Sequence, residues 1–473
     1  MAAPYTWSFT TAAAPGTPVD IGAGGGQLRL VSLPEVVPSF SPFAGLLDLN
    51  RNSFLARWNP TKAMDATYAK YQYLVSGGMP QADLAFATAE AGVGYWHESA
   101  NVYAGVFTPR TASFDLPLLA GADPYAHWNL VGMPHTTAAN FGSLQVVHGG
   151  VTRSLADAAD AAITGNFAWK YLDPTQGYQL VSVPGLYAGA GTTFEPGLGY
   201  WFWADQDCTL RYPVPGKAPA AAGPSKASRA AATDWLAQLQ VSGPGCRDAF
   251  NYFGIGETRA RLANPPTPVE GSYVDLWFHD PTRGPDQVPL AAGLKPAGRA
   301  GSTTWTFQVD TNATDGPLTL SWPDLSAVPT NTTLYLVDTA TGKRVYMRTV
   351  SAYAFRADGR APRRFEILAE PRTGASLRIS GITAAPTRGG ALEIVYSLSQ
   401  PADVSVRVLS PSGRQVGGAP PTRQASRAGL NRLSWRAVDD DGRALPRGLY
   451  MIEIAAQSES GQATKALATL ALR

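Results

Sequence analysis

The sequence predicts an all-β, multidomain protein: tandem β-rich repeats followed by two β-sandwich domains. Three observations carry that prediction. Short runs alternate apolar and polar residues, as in Leu392-Glu393-Ile394-Val395-Tyr396-Ser397-Leu398 and Ala402-Asp403-Val404-Ser405-Val406-Arg407-Val408-Leu409, the period-two pattern of a strand with one buried face. Gly (48) and Pro (38) are abundant and charged residues make up only 16%, a composition suited to many strands joined by tight turns. At 473 residues the chain is too long for one core and fits about three domains.

Composition also narrows function. Hydrophobic residues at 45%, with 10% aromatic, are enough for packed cores and argue against wholesale disorder. Lys plus Arg (38) nearly balances Asp plus Glu (36) with no basic run, which disfavours nucleic acid as a partner. No uninterrupted apolar run of about 18 residues exists, so no membrane span is expected. Cys208 and Cys246 flank a linker-like stretch and have no second cysteine at metal-ligand spacing. Free thiols in separate domains are expected, a disulfide between them is the alternative, and zinc is disfavoured.

The elements follow in chain order. Residues 1–21 read as an N-terminal strand or the end of a preceding domain, because Tyr5-Thr6-Trp7-Ser8-Phe9-Thr10-Thr11 alternates like a strand. That phrase is similar to the closing strand of S-layer-type bacterial Ig-like domains. Met1-Ala2-Ala3-Pro4 offers neither a basic nor an apolar leader region, and the resemblance implies that Met1 begins a fragment of a longer protein. Gly22 to Gly26 is read as a hinge; no Lys-Ser or Lys-Thr follows it, so a phosphate loop is dismissed.

Residues 22–214 contain two internal repeats, about 27–121 and 125–214. Leu30-Val31-Ser32-Leu33-Pro34 recurs as Leu130-Val131-Gly132-Met133-Pro134, and Ala69-Lys70-Tyr71 as Trp169-Lys170-Tyr171, both at an offset of 100. Gly92-Val93-Gly94-Tyr95-Trp96 recurs as Gly197-Leu198-Gly199-Tyr200-Trp201 at an offset of 105. A further Leu180-Val181-Ser182-Val183-Pro184 implies two such strands per unit, each ended by a proline that cannot continue a ladder. The glycines are expected to supply backbone angles closed to other residues. Ser154 to Ile163 reads as a short helix capped by Ser154. These landmarks resemble the Leu-Val-Ser-x-Pro and Gly-x-Gly-Tyr-Trp repeats of bacterial extracellular proteins, which imply no general activity.

Residues 215–233, rich in Ala and Pro, read as a semi-extended linker. Residues 234–371 hold about seven strand candidates and read as a β-sandwich. The candidates are Trp235 to Val241, Tyr273 to Phe278, Trp305 to Val309, Leu318 to Trp322, Leu334 to Val337, Tyr346 to Phe355 and Phe365 to Leu368. Asp338-Thr339-Ala340-Thr341-Gly342 reads as a hairpin turn. The Trp-x-Phe-x-Val and Leu-x-Leu-x-Trp runs resemble a module found before hook-capping-like domains. In 372–473, further runs at Gly413 to Val416, Ala428 to Trp435 and Gly448 to Ile454 join the two quoted above, with turns at Pro411-Ser412-Gly413, Asp441-Gly442 and Pro446-Arg447-Gly448. This region resembles the Ig-like domain of flagellar hook-capping proteins and related C-terminal modules of secreted bacterial surface proteins, which implies an exported chain and no chemistry.

Candidate chemistry is sparse. The five histidines, His97, His127, His135, His148 and His279, lie in no His-Glu-x-x-His motif, and no Gly-x-Ser-x-Gly elbow exists. They are expected to be solvated loop residues, with a metal site between His127 and His135 given little weight. Asp439-Asp440-Asp441-Gly442 has carboxylates dense enough for Ca²⁺ but lacks the distal glutamate of an EF-hand, so a tight turn is favoured. The remaining lead is aromatic. Tyr95, Trp96, Trp169, Tyr200, Trp201 and Trp203, with Tyr171, are candidates for a platform on which sugar rings stack, and core packing is the weightier reading of the same residues. Alternation puts Tyr200 and Phe202 on one face and Trp201 and Trp203 on the other. No catalytic residue, metal or cofactor is expected. The functional expectation is a noncatalytic extracellular or cell-surface structural or assembly protein, partnered by neighbouring domains of a longer chain, its own copies or a surface machinery. The alternative is a polysaccharide-binding module.

Overall fold

The computed structural model describes residues 16–22, 27–36, 54–61, 71–75, 89–99, 103–121, 123–216, 233–256, 261–279, 289–296, 302–357, 361–371, 376–387, 391–418, 424–439, 441–458 and 461–472. The structure is nearly all β, as the alternation requires. Among the described residues the one α-helix is Leu155–Asp160, where the Ser154 side chain accepts from the Asp157 N–H as a helix cap does. No helix among them is long and apolar enough to cross a membrane.

The duplication is visible as topology. In the first unit the four-stranded sheet runs Gln27–Ser32, Gly94–Ser99, Phe54–Trp58, Tyr71–Val75; in the second it runs Trp128–Gly132, Gly199–Ala204, Thr164–Tyr171, Tyr178–Ser182. The spatial order is the same, and every pairing is antiparallel. The three Leu-Val-x-x-Pro runs are strands that end two residues before their proline, at Ser32, Gly132 and Ser182, and Tyr71–Val75 is the second such strand of the first unit, without a proline at that spacing.

A second ladder closes each unit, and it moves the sequence boundaries. Thr17–Gly22 pairs with Tyr103–Phe107, so residues 17–22 are a strand of the first unit rather than part of a preceding domain or a hinge. Phe114–Leu118 pairs with Cys208–Tyr212 and belongs to the second unit, although the sequence assigned it to the first. The second unit extends this ladder with Gln145–His148 and Val151–Ser154. Residues 1–15 and 23–26, which carry the S-layer-like phrase and the rest of the glycine run, lie outside the described residues.

One repeat landmark was misaligned. Trp58 faces Tyr71 across its ladder as Tyr171 faces Tyr178, so the counterpart of Lys170-Tyr171 is Arg57-Trp58, and Tyr71 matches Tyr178. The shared Lys-Tyr dipeptide at an offset of 100 is a coincidence of spelling; Ala69 and Lys70 lie outside the described residues.

From Thr233 to Pro371 two five-stranded sheets enclose a core that includes Trp235, Phe253, Trp305, Phe307, Leu336 and Ile367. The strand candidates fall on strands except Tyr346 to Phe355, which divides into Lys343–Tyr346 and Ala352–Phe355. Between them the Met347 and Val350 carbonyls both accept from the indole N–H of Trp322, so a turn is fixed by a buried side chain. The longest partner strand, Cys246–Gly256, was not anticipated; it pairs along Thr233–Gly243. Asp338 to Gly342 is a hairpin turn, with Gly342 at φ +70°. Most of the linker, 217–232, lies outside the described residues.

The C-terminal region is a smaller sandwich. A three-stranded sheet of Ile379–Pro386, Ala391–Leu398 and Gly429–Arg436 faces a sheet ordered Gln415–Gly418, Ala402–Leu409, Gly448–Gln457, Ala463–Leu472. Inward residues such as Ile394, Tyr396, Val406, Val408, Trp435 and Ile454 form its core.

Candidate functional site

The sequence lead resolves into a seam between the two units, built from the Gly-x-Gly-Tyr-Trp turns. The first glycine of each motif has a left-handed backbone, φ +74° at Gly92 and +81° at Gly197, which a side chain would strain. The second glycine makes room for the other unit. A Cβ on Gly94 would lie 2.7 Å from the Val131 carbonyl oxygen, and one on Gly199 would lie 2.6 Å from that of Val31. The first strand of each unit therefore crosses the turn of the other. Ser32 N–H donates to Gly197 O at 2.9 Å, and Gly132 N–H donates to Gly92 O at 2.7 Å. This reciprocity is an internal pseudo-two-fold.

Alternation then sends the aromatics to opposite faces. Tyr95 and Tyr200 point into their own units, where each hydroxyl accepts from a backbone N–H, of Glu90 and Glu195, at 2.8 Å. Trp96 and Trp201 point into the seam, and their indoles donate to the hydroxyls of Tyr71 and Tyr178 at 3.1 Å. Across the pseudo-axis Trp58 meets Trp201 edge-on at 5.0 Å and Tyr171 meets Trp96 at 5.1 Å. Such edge-to-face pairs are a favourable aromatic geometry.

The following sandwich seals this seam. The Trp169 indole donates to Ala263 O at 3.0 Å, Tyr178 hydroxyl to Pro266 O at 2.6 Å, and Tyr252 hydroxyl to Ala188 O at 2.6 Å. Phe250, Tyr252, Leu262 and Ala263 share one apolar cluster with Trp96, Trp169 and Trp201.

The structure therefore follows the core-packing reading of these aromatics and departs from the glycan platform given as the lesser alternative. Tyr95, Trp96, Tyr200 and Trp201 are 0% exposed and Trp169 is 1% exposed, so none offers a ring face to a sugar. Tyr171 is equally enclosed. Trp203 is half-buried; its indole donates to Asp205 at 3.0 Å, and the His127 ring stacks on it at 4.8 Å. Burial pushes the Tyr95, Tyr171 and Tyr200 phenols further above their usual range, which keeps them protonated.

Other candidates are also placed. His97 and His135 are buried rather than solvated, each bonded to a backbone carbonyl, and burial lowers both pKa values. His127 bonds Ala204 O and His135 bonds Ala112 O, so the two histidines are committed to separate partners. Cys208 and Cys246 are free thiols. Asp439 closes a turn, accepting from the N–H groups of Asp441 and Arg443; Asp440 lies outside the described residues.

A pair of carboxyls went unnoticed in the sequence. Asp248 and Asp275 lie at a narrow cleft where the sandwich meets the second unit, beside Trp169, Tyr178 and Asn264. Asn264 donates to Asp275 at 2.6 Å and Leu276 N–H donates to Asp248 at 2.8 Å. Burial raises both pKa values, and the Asp248 charge raises that of Asp275 further. The cleft encloses only about 20 Å³, room for roughly one water and not for a sugar ring. The two carboxyls are 27 residues apart, on consecutive strands that lie in opposite sheets of the sandwich, and no local motif marked them.

No protein family profile matches the chain, and no curated protein matches it. Among solved structures, a bacterial orthologue of human α-L-iduronidase aligns at 12% identity and TM-score 0.15 over 36% of this chain and 38% of its own. A tetra-tandem repeat from the extending region of a large adhesion protein aligns at 12% identity and TM-score 0.18, over 95% of this chain and 100% of its own. A β-glucuronidase from Ruminococcus gnavus in complex with uronic deoxynojirimycin aligns at 7% identity and TM-score 0.14, over 99% of this chain and 47% of its own. Likeness at this level identifies no relative, and the reading of function rests on the chain's own residues.

Proposed function

We propose that this chain is a noncatalytic structural module of an extracellular or cell-surface protein, in which residues 17–371 act as one stiff spacer and the C-terminal sandwich is an assembly domain. The observation that carries this reading is the aromatic seam. Ring faces that a lectin would leave open are used here to join two units and a third domain into a continuous core. A chain of independent β-domains has no need of such an interface, whereas a spacer that transmits load or sets a distance does. The sequence resemblance of the C-terminal region to hook-capping Ig-like domains supports the surface assignment in the same direction.

Single-molecule extension of the full chain tests the spacer. Residues 17–371 should resist as one cooperative unit, and the C-terminal sandwich should unfold separately. Separate low-force events for the two repeats would overturn it. Retention of the folded chain on insoluble polysaccharides, lost in Trp203→Ala with the fold intact, would replace the spacer by the binding reading, since Trp203 is the one half-exposed ring of the set.

A further inference from the structure

Edges of β-sheets carry unpaired backbone N–H and C=O groups, and soluble proteins usually blunt them by shortness, charge, proline or bulges. Most edges among the described residues are treated in this way. Ala292–Lys295, Lys343–Tyr346, Ala352–Phe355, Val151–Ser154 and Gln415–Gly418 are four residues each. Thr17–Gly22 contains Pro18 and a register shift, and Phe114–Leu118 contains Pro117. In the C-terminal sandwich, Ile379–Pro386 has a register shift and ends in proline, and Gly429–Arg436 carries Arg432 and Arg436.

Ala463–Leu472 breaks this pattern. It is ten residues long, pairs in unbroken register with Gly448–Gln457, and among the described residues has no hydrogen-bonded strand on its other side, although Ile379–Pro386 of the facing sheet approaches it across the sandwich. Its sequence, Ala-Thr-Lys-Ala-Leu-Ala-Thr-Leu-Ala-Leu, contains no proline or glycine and one charge, Lys465. That charge already leans on Glu453 at 3.7 Å. On its outward face Leu467 is 60% exposed, and Leu449, near its far end on the adjacent strand, is 62% exposed.

We infer that this free edge pairs with the same edge of a second copy of the chain, antiparallel about a two-fold axis at Leu467, to form a continuous intermolecular sheet. Side-chain parity permits only axes centred on a residue, because paired residues must share a face. The Leu467-centred register overlaps nine residues. It sets Leu467 against its own copy, Lys465 against Thr469, and Ala463 against Ala471. The two lysines are not opposed, so the like-charge cost of a cross-strand pair is avoided, and the two exposed leucines cover each other. A single added strand is a small interface, so the dimer is weak in solution and is strengthened where chains are held close together. This assembly surface extends the structural reading without depending on it: the spacer concerns residues 17–371, and the edge can fail or hold independently.

The test is light scattering and sedimentation of the full chain up to about millimolar concentration, where weak pairing is populated. The weight-average mass should climb from the 50.0 kDa monomer toward its double as concentration rises. Leu467→Lys, at an exposed position that leaves the fold intact, should reduce association at least tenfold by opposing two lysines at the axis. In a Cys208→Ser background, mild oxidation should cross-link Leu467→Cys to itself. It should also cross-link a mixture of Lys465→Cys and Thr469→Cys chains, and leave Thr469→Cys alone largely monomeric. A chain that stays monomeric at millimolar concentration would overturn the inference. So would association indifferent to Leu467→Lys, or cross-linking of Thr469→Cys in preference to Leu467→Cys.

Discussion

The two units share a strand order, a tyrosine-capped turn and a tryptophan seam, yet they differ at the one place where symmetry brings identical positions together. Ser32 and Gly132 occupy equivalent places beside the pseudo-axis. A Cβ on Gly132 would fall 2.0 Å from the Ser32 Cβ, so the axis has room for one side chain and not for two. The serine that remains is used by both units: its hydroxyl donates to Leu198 O at 2.7 Å and accepts from Met133 N–H at 3.3 Å. A duplicated fold can thus keep its symmetry in the backbone while its sequence diverges where atoms of the two copies compete for one volume.

The largest effects should come from breaking the symmetric part. Trp96→Ala and Trp201→Ala each remove a fully buried indole, leave a tyrosine hydroxyl without its donor, and should cost about 3–5 kcal/mol in urea or thermal unfolding. Nearly equal losses are expected if the seam is as reciprocal as its geometry. A much larger loss for Trp201→Ala would show that the second unit carries the fold, through the added contact of Trp201 with Trp128 at 6.1 Å.

A smaller and more discriminating change concerns the asymmetric position. Gly132→Ala should cost about 1–3 kcal/mol by crowding Ser32. Exchanging the pair, Ser32→Gly with Gly132→Ser, should restore most of that loss. The new side chain would lie beside Val93 O, the counterpart of Leu198 O, since a Cβ at Gly132 is 3.2 Å from that oxygen. Failure of the exchange to rescue Gly132→Ala, measured as urea midpoints, would mean that the pseudo-two-fold does not extend to the hydrogen bonds.

What the sequence disclosed and what it hid follow the same division between local and shared surfaces. The C-terminal strands were legible because each has one wet face: Ala391–Leu398 and Ala402–Leu409 alternate buried and more exposed residues along their length. Cys246–Gly256 was not, because Ala249 to Phe253 are all buried, some in the sandwich core and others against the repeat units, so period two is lost. The glycine roles in the Gly-x-Gly-Tyr-Trp motif were anticipated as special backbone angles, and this holds at Gly92 and Gly197. At Gly94 and Gly199 the cause is the approach of another unit, which no local pattern reports. The fate of the aromatics was undecidable for the same reason: a tryptophan facing outward from one unit is core only when its duplicate and a third domain arrive.

The smallest effect concerns how the first unit meets the sandwich. Glu98, on the strand that carries Trp96, lies beside Glu270, so its charged form is opposed by a like charge. Partial burial, then the Glu270 charge, raises the Glu98 pKa. A raised carboxyl pKa means the folded chain binds more protons than the unfolded one. The stabilisation is therefore complete below the ordinary glutamate pKa of about 4.3 and is lost as pH rises through the raised value. Water reaches this pair and screens it, so the change is expected to stay below about 1 kcal/mol. Glu98→Gln keeps a donor with no proton to lose; it should leave stability at acidic pH nearly unchanged and raise it at mildly alkaline pH, flattening the decline of the urea midpoint. The decline that persists in Glu98→Gln belongs to Asp248 and Asp275 on the second unit's side; Asp275→Asn should remove the share of Asp275 and leave that of Asp248, which burial alone raises. If Asp275→Asn alone abolishes the whole pH dependence, the first unit contributes no proton linkage, and the two contacts with the sandwich are as unequal in electrostatics as Ser32 and Gly132 are in volume.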